Sequence, residues 1–109
     1  MKVIHCKDWD ELYNIHNKNG MYIIALDGTK YTFKNNEYHS YNGKLAIENS
    51  NGDKCWFRNG MEHRLYGPAV EFSDGSKMWW LFGLHYFEDE YNEIMKNAPL
   101  FYWKNRDKL

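Results

Sequence analysis

The sequence predicts a mainly β fold of the α+β kind: an antiparallel meander of about three hairpin repeats, with an N-terminal and a C-terminal helix packed on one face. Three observations carry that expectation. Asp27-Gly28-Thr29-Lys30, Asn51-Gly52-Asp53-Lys54 and Asp74-Gly75-Ser76-Lys77 recur with their glycines 24 and 23 residues apart, and a unit of that length must stack on neighbours to bury its apolar face. Second turns at Asn35-Asn36, Asn42-Gly43, Asn59-Gly60 and Gly83 divide the intervening chain into short runs, as hairpins do. Aromatic residues make up 18% of the chain, so rings carry most of the burial. With 109 residues the chain has room for one core and one domain, residues 1–109.

Taken in order, residues 1–20 hold a short apolar strand (Val3, Ile4) and a helix of about ten residues. Asp8 is its N-cap, Trp9, Leu12, Tyr13 and His16 recur at helical spacing, and Asn19-Gly20 ends it. Residues 21–87 hold the hairpin repeats. Aligned copies give the columns Ile23, Ile47, Val70; Lys30, Lys54, Lys77; Thr32, Trp56, Trp79; and Phe33, Phe57, Trp80, the first copy being the most degraded. Residues 88–109 hold a closing helix over Glu88 to Asn97, with Tyr91, Ile94 and Met95 on its apolar side, acidic residues in its first turn and Pro99 just beyond.

The register follows from charge. A two-residue loop would set Ile47 opposite Trp56 and mix polar with apolar on both faces; a three-residue loop with glycine in a bulge sets Glu48 against Lys54 and Glu71 against Lys77. That shift gathers Ile23, Tyr31, Phe33, Leu45, Ile47, Cys55, Phe57, Val70, Phe72, Met78, Trp80 and Phe82 on the core side. The other face then carries Lys34, Lys54, Trp56, Arg58, Lys77 and Trp79, with Glu48 and Glu71 between. Exposed Trp and Arg on a firm sheet dominate binding energy when desolvated, so these six residues are the candidate partner-binding set. The alternative is that Trp56 and Trp79 pack against a terminal segment such as Phe101, Tyr102 and Trp103, or merely stack along the sheet.

Several functional classes are disfavoured. A formal charge of −1 creates no long-range pull toward polyanions, and the glutamates among the basic residues count against a nucleic-acid platform. Cys6 and Cys55 lack metal or disulfide spacing and suit free thiols in the cytoplasm. No apolar run is long enough to span a membrane. His39 and His63 share a column about 9.6 Å apart across two strands, too far to share an ion, so each is read as a surface or turn histidine holding a backbone carbonyl. Glu62-His63-Arg64 alternates across an extended strand and cannot converge on one atom, so no enzyme activity, catalytic residue, metal or cofactor is expected.

The stretch Trp56-Phe57-Arg58-Asn59-Gly60-Met61-Glu62-His63-Arg64-Leu65-Tyr66-Gly67-Pro68-Ala69-Val70, with Asp74-Gly75-Ser76-Lys77 and Trp79-Trp80 after it, resembles a repeat family of phage and giant-virus proteins. The family pattern is W-[YF]-x-N-G-x-x-H-R-x-D-G-P-A-[VI], and its units look like MORN-type hairpins. Tyr66 stands where the family usually has aspartate. The resemblance, over residues 42 to 86, implies a hairpin-repeat sheet and a viral context. The expected function is therefore a small binding protein, encoded by a phage and acting in the host cytoplasm. It would block a host or viral protein complex, such as a defence or expression machine, by steric occlusion. The alternatives are a small-ligand or nucleotide-binding module, with Arg58 or Lys54 on a phosphate, and a self-assembling structural repeat protein.

Overall fold

Hairpins dominate the computed structural model, which describes residues 2–98; the expected covering segment at 101 to 103 lies outside the described residues. Strand β1 (Lys2–His5), helix α1 (Trp9–Tyr13) and strand β2 (Met21–Ile24) form the N-terminal unit. Next come β3 (Lys30–Lys34), β4 (Glu37–Tyr38), β5 (Ile47–Glu48) and β6 (Lys54–Cys55). A small hairpin of β7 (Phe57–Arg58) and β8 (Met61–Glu62) precedes β9 (Val70–Glu71), β10 (Lys77–Leu81), β11 (Leu84–Tyr86) and α2 (Glu88–Lys96). The main sheet runs β1-β2-β3-β5-β6-β9-β10-β11, with β4 also on β3; β7 and β8 pair apart from it.

Each glycine turn has the geometry that the charges select. Ala25, Asn49 and Phe72 donate their N–H to the carbonyls of Thr29, Asp53 and Ser76 at 2.8–2.9 Å, while Gly28, Gly52 and Gly75 sit at φ of 89°, 100° and 92°, where a side chain would be strained. Glu48 therefore faces Lys54, and Glu71 faces Lys77, as the three-residue loop requires.

A second recurrent bond ties each copy to the next. His39 Nδ1 accepts the N–H of Asn59 at 3.1 Å, and His63 Nδ1 accepts that of Phe82 at 3.0 Å. Asn19 Oδ1 does the same for Asn35 at 3.1 Å. All three donors lie in left-handed backbone, with φ of 51° (Asn35), 48° (Asn59) and 49° (Phe82), where a turn leaves its N–H pointing away from its own ladder. The histidines thus accept a backbone N–H where a bond to a carbonyl was expected.

Three expectations are corrected. The sheet is mixed, because β1 pairs parallel to β2 from Lys2↔Met21 to His5↔Ile24; the intervening α1 crossover returns the chain in the same direction. That helix has five residues instead of about ten. Asp8 caps it through a 2.8 Å bond from the Glu11 N–H, but Leu12 alone is buried. Ile15 leaves the helix to join the same core as a separate contact.

The helices also lie on opposite faces. Ile23, Tyr31, Ile47, Cys55, Val70 and Met78 are successive cross-strand partners and share one face. Helix α1 covers its N-terminal end, where Leu12 packs with Cys6, Ile23 and Phe33. Helix α2 packs Tyr91, Ile94 and Met95 against Leu81, Phe82 and Trp79, and Trp79 and Leu81 alternate with Met78 on β10 and so face the other way. Five consecutive positions, Met78 to Phe82, are large and apolar, so alternation gave no means of choosing the face.

Tyr91 closes this second core with 1% of its surface exposed. Its hydroxyl donates to the Arg64 carbonyl at 2.5 Å and accepts the Gly67 N–H at 3.1 Å. Tyr91→Phe leaves both backbone groups without that partner, and a loss of roughly 1–3 kcal/mol is expected in urea denaturation with no change in m-value.

Candidate functional site

The face expected to hold protruding tryptophans is built differently from that expectation. Trp56 is 7% exposed. Its indole N–H donates to the Gly43 carbonyl at 3.1 Å, and the Arg64 guanidinium lies 3.7 Å over its ring. The far side of that guanidinium rests on Gly67: a Cβ there would come within 2.9 Å of Arg64 Cζ and Nε. One Nη1 bond to the Pro68 carbonyl at 3.1 Å and a 3.5 Å pair with Glu71 fix the orientation. The Arg64…Gly67-Pro68 portion of the motif is therefore a clamp, with a planar cation held between an indole and a bare backbone.

Trp79, in the same sequence column, is half-buried against the α2 core. Trp56 does not protrude and Trp79 is partly covered, so the pair of exposed indoles expected on this face is not formed. Small, buried Ala46 and Ala69 alternate with the tryptophans across the strands; the Arg64 guanidinium covers the Trp56 ring, and Trp79 packs against the core under helix α2. Lys54 and Lys77 are exposed, but they belong to a cross-strand ladder Lys30-Glu48-Lys54-Glu71-Lys77 in which signs alternate. The Lys30–Glu48 pair closes to 3.3 Å. Such a row of three lysines and two glutamates carries a net charge of only +1, with each exposed pair contributing about 0–1 kcal/mol. Lys34 is half-buried opposite Glu37. Arg58 stands apart from the ladder in a separate pocket beside His63.

In the first copy the clamp is missing. Thr32 occupies the Trp56 position, and Ser40 occupies that of Arg64: Ser40 N–H bonds the Phe57 carbonyl as Arg64 N–H bonds that of Trp80. Where indole and guanidinium fill the second copy, the first has a cleft of about 450 Å³. Its floor is the cross-strand row Val3, Tyr22 and Thr32. The Lys30–Glu48 pair forms one side and the loop Tyr41, Asn42, Lys44 and Leu45 the other. Lys44 is exposed, and no ion pair forms on it among the described residues.

Tyr22, Tyr41, Asn42 and Lys44 were not singled out from the sequence. The signal that pointed to them was the loss of tryptophan and arginine from two columns of the first copy. Chemically, the cleft offers a semi-apolar floor for a ring and one uncompensated cation at its lip.

No protein-family model, curated protein or solved structure matches the chain. Among the described residues no helix is long and apolar enough to cross a membrane.

Proposed function

We propose that the protein is a non-enzymatic binding protein, built of three MORN-like hairpin units, that seats an aromatic side chain of a protein partner in the cleft of its first unit. The observation that carries this reading is Thr32 standing where the second copy has Trp56, with an open volume of about 450 Å³ bordered by Thr32. A ring entering there would cover the Thr32 floor as Trp56 covers Ala46 and Ala69. The partner supplies the ring, and this chain supplies the seat. Occlusion of the partner's own contact surface is the proposed mode of action, and a host or viral complex the proposed target.

The test restores the clamp from within. In an amide chemical-shift titration with N-acetyl-tryptophanamide, the resonances of Thr32, Asn42, Lys44 and Leu45 are expected to move with saturation, and Thr32→Trp to abolish the response while retaining the fold. An unchanged response in Thr32→Trp, or movement confined to other residues, removes the cleft from consideration. A nucleotide is the second reading, favoured by Lys44 at the lip; adenosine monophosphate outcompeting the indole probe at the same resonances would select it.

A further inference from the structure

A second concavity lies on the other side of the loop 40–43, independent of the first-unit cleft. It encloses about 290 Å³ and is lined by Ser40, Gly43, Trp56, Phe57, Arg58, His63, Arg64 and Leu65. Two arginines, a histidine and a serine line it, and no aspartate or glutamate does.

The hydrogen bonds already made decide what each polar group has left to offer. Ser40 Oγ accepts the Phe57 N–H at 3.0 Å, which leaves its hydroxyl hydrogen to donate. His63 Nδ1 accepts the Phe82 N–H, so the ring is neutral with its proton on Nε2, a second donor. The indole N–H of Trp56 and the Gly43 carbonyl satisfy one another, removing an acceptor from the wall. Arg64 carries its charge at the wall while bonding Pro68 and Glu71 through Nη1. Arg58 is the least satisfied group: its Nε is fully buried without a hydrogen-bond partner, and no ion pair forms on it among the described residues. Its charge reaches His63, whose pKa it helps to hold down after burial, the larger cause. A buried guanidinium nitrogen without an acceptor is costly, and no carboxylate lines the pocket to compensate it.

We propose that this pocket binds a phosphate-type oxyanion, held by Arg58 and Arg64 with Ser40 Oγ and His63 Nε2 as further donors. Fork-shaped guanidinium groups match the spacing of phosphate oxygens, and the volume admits a phosphate together with the first atoms of an ester. Free phosphate and a phosphorylated side chain share this chemistry.

The test uses the full chain and two probes, inorganic phosphate and O-phospho-L-serine, in calorimetric titration at fixed ionic strength. Saturable binding is expected, weakened at least tenfold in Arg58→Gln and partly recovered in Arg58→Lys. Tighter binding of phosphoserine assigns the anion to a modified partner, and tighter binding of phosphate to the free ion. In parallel, thermal melting with phosphate against chloride at equal ionic strength should raise the wild-type Tm and leave that of Arg58→Gln unmoved. Equal shifts with chloride, or undiminished binding by Arg58→Gln, overturn the proposal.

Discussion

Trp56→Ala is expected to destabilise the fold by about 3–5 kcal/mol, the range for truncating a buried aromatic residue. The loss has several parts. The indole fills the space over Ala46 and Ala69, both no more than 1% exposed, and its N–H bond to Gly43 holds the loop that leads into β5. Removing it also strands Arg64, whose guanidinium would lose its 3.7 Å stacking surface while still pressed on Gly67. Equilibrium urea unfolding provides the measurement. A protruding anchor would cost less than about 1 kcal/mol in stability when truncated, so a small loss would restore the exposed-tryptophan reading and dismiss the clamp.

The second large effect is acid lability. Burial first, and then the neighbouring Arg58 charge, push the His63 pKa from 6.5 down to about 4, while in the unfolded chain it stays near the ordinary value. Below both values the two states are equally protonated. Between them the unfolded state binds the extra proton, so stability present above about pH 6.5 is lost as the pH falls toward 4. The loss from this one ring is roughly 2–3 kcal/mol. His39, lowered by burial and by Lys34 and Arg58, acts in the same direction. Protonation also turns Nδ1 into a donor facing the Phe82 N–H, which breaks the bond that positions the third turn. Urea midpoints from pH 7.5 to 4 should fall accordingly. His63→Asn, which places an amide oxygen where Asn19 already uses one, should flatten the dependence; an equally steep profile in that variant would assign the lability elsewhere.

The sheet was more legible than the site. Glu48, Lys54, Glu71 and Lys77 chose the register because a glutamate four residues before and a lysine two residues after each turn glycine face one another only across a three-residue loop, and Asp8 marked the start of α1. The burial of Trp56 was illegible because it depends on Arg64, which the β7–β8 hairpin returns beside it, and on the close approach of Gly67 to that guanidinium. The assignment of α2 to a face failed where apolar residues ran without alternation from Met78 to Phe82. Parallel pairing of β1 left no local trace, since the partner strand lies beyond a helix and the pairing is set by the crossover. The first-copy cleft lay between: the absence of tryptophan at Thr32 was plain, but its meaning required seeing what fills the corresponding space beside Trp56.

The hooks from Asn19, His39 and His63 all run in one direction, each side chain grasping a bend that comes later in the chain. The scaffold is fastened like overlapping roof tiles. No tile can lift without loosening the one beneath it, so melting spreads across the whole sheet, and the last grip, on Phe82, is where a further tile would have to begin.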